Sequence, residues 1–238
     1  MKKPTILLLA VEGTSTRLTY HKVSERFEIS HIIIEDKVSV KNVLKRKIKR
    51  HGLINAFGQL AFQAIIPRLL RRSSKDRIKK ILKTNQLVDD PIPIEKIIRV
   101  SSVNNQSTRL IIQNFRPDII IVNGTRIISS RVIEEANCPM LNLHAGITPL
   151  YRGVHGGYWA LRNRDLDNLG VTLHFVDSGV DTGKIIAQKK ISVTPEDNFF
   201  TYPLLQQAAG LPMLVSAMED ILQDRLATFT PVEKKSMQ

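Results

Sequence analysis

The sequence holds a single cysteine, Cys138, in 238 residues. One thiol excludes a disulfide framework and any cysteine-based metal cluster, and it fits a reducing, cytoplasmic compartment. No stretch reaches the ~20 consecutive apolar residues that a membrane-crossing helix requires. The start, MKKPTILLLAVEG, sets two lysines before an apolar run, as a secretory signal does. That run is short, and Glu12 interrupts it before any small-residue cleavage site, so a first buried strand is expected. Internal repeats and low-complexity linkers are also missing.

Negative charge is nearly absent from one window. Between Lys41 and Lys83 there are fourteen Lys or Arg and a single acid, Asp76. The whole chain has 35 basic and 22 acidic residues, so the remainder is neutral and the net charge of +13 belongs to the window. This reads as a basic insertion, 41–83, in a neutral fold. Its middle, HGLINAFGQLAFQAIIP (51–67), has no Lys, Arg, Asp or Glu. As a helix it would span only ~25 Å, short of a bilayer core. An apolar helix with basic flanks can lie in a membrane interface, where each Lys or Arg near an anionic leaflet contributes ~1 kcal/mol. The alternative is a helical pair packed on its own domain or on a partner subunit. Phe57 and Phe62 sit in the uncharged middle, not among the cations. Stacking on bases has no platform there, so a specific nucleic-acid partner is not expected, although phosphates could be held nonspecifically.

What is present is globular: 42% hydrophobic residues and enough chain for one core. TILLLAV (5–11), ISHIIIE (29–35), KIIRVSS (96–102) and DIIIVNG (118–124) read as buried strands. Helical patterns fall between them at 14–27, near 104–115 and around 129–136. Alternation of this kind predicts an α/β fold, a Rossmann-like open and mostly parallel sheet with helices on both faces. GVTLHFV (170–176) and KIIAQKKISV (184–193) flank a short link and are expected to pair antiparallel. A last helical stretch, 197–224, contains Pro203 and Pro212, which are expected to break or kink it. The expected organisation is one domain, 1–225, with the insertion 41–83 and a tail, 226–238.

The stretch MLNLHAGITPLYRG (140–153) does not read as ordinary core. Asn142 and His144 are two apart on a strand and so share a face. They stand near the strand's carboxyl end, where open α/β sheets bind ligands. An amide, an imidazole and a carboxylate suit formyl or acyl transfer to an amine. The amide and a protonated His can donate to the oxygen on which charge grows, and loss of one such donor typically costs ~10²–10³ in rate. A nearby Asp would keep the His charged and could receive the amine's proton. HFVDSGVDTGKII supplies two candidates, Asp177 and Asp181. No G-x-S-x-G nucleophile motif accompanies them, which favours direct transfer. No metal site is expected.

LNLHAGITPLYRG followed by GVTLHFVDSGVDTGKIIAQ, with 37 positions from His144 to Asp181, resembles the folate-dependent formyltransferases. That family includes glycinamide ribonucleotide, methionyl-tRNA and amino-sugar formyltransferases. The resemblance implies a catalytic trio of Asn142, His144 and Asp181 and 10-formyltetrahydrofolate as formyl donor. It implies a pterin cleft made by Thr125, Arg126, Ile127 and Ile128 with Asp177, Ser178, Gly179 and Val180. Thr172 and His174, on one strand face, are expected to support the site. Glu12 and Gly13, in the stretch matching the purine enzymes' phosphate loop, are expected beside the substrate, as are Tyr151, Arg152 and His155. His155 has helix capping as its alternative role. Where most relatives have His-x-Ser-x-Leu-Pro, this chain has HAGITP.

A phosphate beside Glu12 would be repelled, which counts against the purine substrate. The chain stops soon after Asp224, which counts against tRNA. The expected acceptor is therefore a small-molecule amine, an amino sugar on a nucleotide or lipid carrier in surface polysaccharide synthesis. A cytoplasmic enzyme is expected, peripheral on an anionic membrane through 41–83. Methionyl-tRNA or glycinamide ribonucleotide as acceptor, hydrolysis of the donor, and a nucleic-acid-binding protein using the basic patch stay open.

Overall fold

The computed structural model describes residues 3–36, 67, 70–229 and 236–237. Of the expected amphipathic insertion 41–83, residues 41–66 and 68–69 lie outside the described residues. Seven strands form one sheet: β1 (Ile6–Val11), β2 (Ile29–Glu35), β3 (Ile97–Val100), β4 (Ile119–Asn123), β5 (Met140–His144), β6 (Gly170–Phe175) and β7 (Ile185–Lys190). Their spatial order is β3-β2-β1-β4-β5-β6-β7. The first five are mutually parallel, while β6 runs antiparallel to both β5 and β7. The order therefore reverses direction between β1 and β4, which opens a crevice at their carboxyl ends.

β1 and β4 are buried on both faces, and this accounts for their continuous Ile/Leu/Val runs. β7 ends in exposed Gln188, Lys189 and Lys190 side chains, as befits an edge. One face of the sheet is covered by α1 (Thr14–Ser24), α2 (Lys75–Thr84) and α6 (Tyr202–Leu222). Leu18, Ile81, Leu211, Leu214 and Met218 pack there on Ile6, Leu8, Ile32 and Ile121. The other face is covered by α3 (Gln106–Phe115) and α4 (Ser130–Ala136), which bring Ile112 and Val132 onto Leu7, Leu9 and Ile120. Each such fully buried side chain contributes ~1.5–3 kcal/mol. A smaller cluster, Tyr151, Ala160 and Leu169 with Trp159, seats α5 (Gly156–Arg162) against the loop that follows β5.

Two expectations need correction, and an alternative left open is narrowed. Neither proline ends the last helix: Pro203 occupies its first turn, where no amide hydrogen is required, and Pro212 lies inside it. The carboxyl end of the basic window packs on its own domain, one of the two alternatives for the insertion. Ile81 of α2 is core, and Arg77 makes a paired contact with Asp197 at 2.9 and 2.8 Å. The described parts of the expected tail also dock: Phe229 exchanges two main-chain hydrogen bonds with Ile185, and the Met237 amide donates to the Leu150 carbonyl.

Candidate active site

β5 delivers Asn142 and His144 to the crevice on one face, in register with His174 and Thr172 of antiparallel β6. Asp181 comes from the β6–β7 connection, at φ 50°. Its carboxylate stands among four polar groups. Oδ2 accepts the Gly153 amide at 2.7 Å and lies 3.3 Å from His144 Nδ1. Oδ1 accepts Asn142 Nδ2 at 3.3 Å and lies 3.4 Å from His174 Nε2. Residues up to 39 positions away in sequence thus share one carboxylate.

Carbonyl partners fix the hydrogens. His144 Nε2 is 2.6 Å from the Tyr151 carbonyl, which can only accept, so Nε2 carries a hydrogen. His174 Nδ1 is likewise 2.7 Å from the Phe175 carbonyl and carries a hydrogen, while its Nε2 lies 3.1 Å from Asn142 Nδ2. Burial lowers the pKa of His144 below the ordinary histidine value, although Asp181 and the Tyr151 carbonyl pull it upward. Burial raises that of Asp181, but His174, His144 and the Gly153 amide outweigh it and hold the carboxyl below the usual range. Desolvation of a side chain only 6% exposed thus works against the expected charge on His144, and Asp181 works for it. The expected oxyanion donors are also already engaged. Asn142 Nδ2 donates to Asp181 and lies beside His174 Nε2, and the Nε2 hydrogen of His144 points at the Tyr151 carbonyl. The 3.3 Å contact from Asn142 to Asp181 is the longest of these and the easiest for an incoming oxygen to replace.

A cavity of about 1300 Å³ opens on this cluster. Thr125, Arg126, Ile127 and Ile128 line it, as do Asp177, Gly179 and Val180; Ser178 does not. Glu35, 3% exposed, shapes the first segment: it accepts the Val103 and Arg126 amides and pairs with the Arg126 guanidinium. Thr172 shapes the loop after β5, donating to the Gly146 carbonyl and accepting the Thr148 amide.

The expected substrate residues divide. Gly13 and His155 line the cavity. His155 precedes α5 at φ 64°, makes no side-chain cap, and its ring lies 6.0 Å from that of Phe199. Tyr151 is fully buried, its hydroxyl on Asp165, so its contribution is the carbonyl that orients His144. Arg152 is not among the lining residues. Glu12 faces a separate cavity of about 440 Å³ and pairs with Arg99 at 3.2 Å. The two cavities share Gly13, Thr16 and Asp89, and Arg99 partly offsets the charge of Glu12 beside them.

Sequence reading missed the Gly153 amide, the Glu35 clamp, and the wall formed by Phe199, Phe200 and α2. Main-chain donors leave no sequence signal. The α2 wall left one, because Lys75, Ile78, Lys79 and Leu82 repeat at helical spacing.

A doubly wound α/β fold with polar groups converging at the reversal of strand order defines a ligand-transforming class of protein. Within it the chain belongs to the formyl transferase family, whose profile matches residues 66–209. A methionyl-tRNA formyltransferase of Chlorobium chlorochromatii is 33% identical over 129 residues, which is 54% of this chain and 41% of that protein. The chain thus spans about two-fifths of the length of this relative. The fold is shared with the phosphoribosylglycinamide formyltransferase of Anaplasma phagocytophilum, at TM-score 0.61 and 16% identity over 98% of this chain and 96% of the other. It is shared also with a sugar N-formyltransferase from a Shewanella species, at TM-score 0.59 and 12% identity, covering 98% and 77%.

Proposed function

We propose that the chain transfers a formyl group from 10-formyltetrahydrofolate to a primary amine, with Asp181, His144 and Asn142 as its reacting groups. The observation that carries this reading is the Asp181 carboxylate held among Asn142, His144, His174 and the Gly153 amide on one cavity. The donor, when bound, supplies the formyl carbon that the amine attacks. The lining fits its flat, heteroatom-rich ring: Val122, Ile128 and Val176 offer apolar surface, and 125–128 with 177–180 offer main-chain groups.

Transfer removes one proton from the attacking nitrogen and returns one to the departing nitrogen. With Nε2–H committed to the Tyr151 carbonyl, His144 Nδ1 and Asp181 Oδ2 face each other across 3.3 Å with room for one proton. Burial lowers the His144 pKa, which favours an unprotonated Nδ1 ready to take that proton. His174 and Thr172 position Asn142 and the loop.

An amino sugar on a nucleotide or lipid carrier is the acceptor favoured here; the YRG stretch (151–153) resembles the sugar and tRNA branches more than the purine branch. With Glu12 partly offset by Arg99, its charge argues less against a phosphate at Gly13. A second acceptor, methionyl-tRNA, is favoured by the 33% identity to an enzyme of that name. A cytoplasmic location at an anionic membrane accords with the window 41–83; among the described residues no helix is long and apolar enough to cross one.

The test supplies 10-formyltetrahydrofolate with 4-amino-4,6-dideoxyhexose nucleotides, methionyl-tRNA and glycinamide ribonucleotide in parallel. A formylated sugar supports the reading, and product from another amine alone reassigns the acceptor. Donor consumption in water alone identifies a hydrolase, and no consumption at all overturns the enzymatic reading.

A further inference from the structure

The two walls of the cavity lie on opposite faces of the sheet. Ile128 belongs to the core under α3 and α4, whereas Ile81 of α2 belongs to the core under α6. On its cavity face α2 presents Lys75, Ile78, Lys79 and Leu82, spaced as one helical stripe. The helical turn at 70–73 adds Arg71 and Arg72 to the same wall. All four cations are exposed.

Their charge is not neutralised by the described residues, where none of the four has a carboxylate within ion-pair distance. Residues 37–69 contain no Asp or Glu in sequence. The carboxylates that do line the cavity are already engaged. Asp89 is held by Arg17 at 2.7 Å, Asp177 by the Gly179 amide and Thr182, and Asp181 by the cluster described above. Among the described residues, four positive charges thus face the same space as the reacting groups with no carboxylate in ion-pair distance.

We propose that Arg71, Arg72, Lys75 and Lys79 form an anion subsite that binds a phosphate or diphosphate borne by the acceptor. In this way they select which amine reaches Asp181. Phosphate oxygens suit the wall because Lys binds them as a point charge and Arg as a fork. A soluble nucleotide and a membrane-borne polyprenyl carrier present the same diphosphate, and the subsite reads that shared group. The selection of acceptor rests on the formyl-transfer reading; the binding of the anion does not.

Calorimetric titration of the full chain with uridine diphosphate at low ionic strength tests the binding directly. Lys75→Ala/Lys79→Ala removes two exposed cations while keeping helix propensity, and circular dichroism verifies its fold. Binding about tenfold weaker or more is expected in this variant. In turnover, the acceptor KM should rise by a similar factor with kcat nearly unchanged. Competition by phosphatidylcholine vesicles doped with a polyprenyl diphosphate assigns the lipid-borne source, and uridine diphosphate binding without that competition assigns the soluble one. If neither probe binds the wild-type chain, or the double variant binds as tightly, the subsite is overturned. Diphosphate binding that behaves as expected without formylation of any amine leaves the subsite standing and removes formyl transfer.

Discussion

Asp181 is the residue on which the chemistry converges, and its charge can be removed without changing its shape. Asp181→Asn keeps an acceptor for the Gly153 amide but ends proton sharing with His144 Nδ1. Formyl transfer should fall by roughly 10²–10³ while the melting temperature changes little, on the scale seen when one electrostatic contributor is removed. The pH profile follows from His144. The reaction needs the imidazole neutral, and burial depresses its pKa. Activity should therefore rise with pH through a midpoint below the ordinary histidine value of ~6.5. A kcat profile whose acid limb lies at or above that value would contradict the assignment.

At the scale of elements, short contacts between loops set the site. A Cβ on Gly146 would lie 2.5 Å from the Tyr151 carbonyl and 2.8 Å from His144 Nε2. The departure from the family's serine at this position thus lets the loop close on α5, whose Gly156 approaches equally tightly. Gly146→Ala should displace the imidazole and destabilise the fold by about 1–3 kcal/mol, as overpacking does. Thermal melting and kcat should both report it. Glu35→Ala would leave the Val103 amide buried and unpaired, at a cost of about 1–3 kcal/mol. It should also loosen 125–128, read as weaker donor binding.

The contact between α2 and the loop before α6 adds a pH dependence. Burial raises the Asp197 pKa, but Arg77, Thr194 and Thr201 lower it further, to about 2. A depressed carboxylate stabilises fully above its unfolded value of ~3.9 and loses that contribution as pH falls through the folded value. The stability gap between wild type and Asp197→Asn should be widest above about pH 4 and close toward about pH 2 in denaturant titrations.

For the whole molecule, a net charge of +13 concentrated in 41–83 predicts association with anionic surfaces that is steeply salt-dependent. Sedimentation with phosphatidylglycerol vesicles should fall more than about tenfold between low and physiological salt. Binding that survives deletion of 41–66 unchanged would place the attraction elsewhere. The +13 window is not separate from the fold at its carboxyl end, because α2 is both core and cavity wall.

The strands, their alternation with helices, and the pair Asn142 and His144 were legible because periodicity and spacing are local properties. The double motif also carried Asp181 and the family. By contrast, Glu12 and Tyr151 stand apart from the main cavity although they flank its motifs. Side-chain direction there depends on which partner is near, Arg99 for one and Asp165 for the other. Sequence by itself determined the order of elements and singled out Asn142, His144 and Asp181 as candidates, since both follow from local patterns and a fixed spacing between two motifs. Tertiary structure alone decided that His144 is desolvated and oriented by a carbonyl, and that a basic helix faces the site. Burial and through-space charge are set by residues brought together from distant parts of the chain.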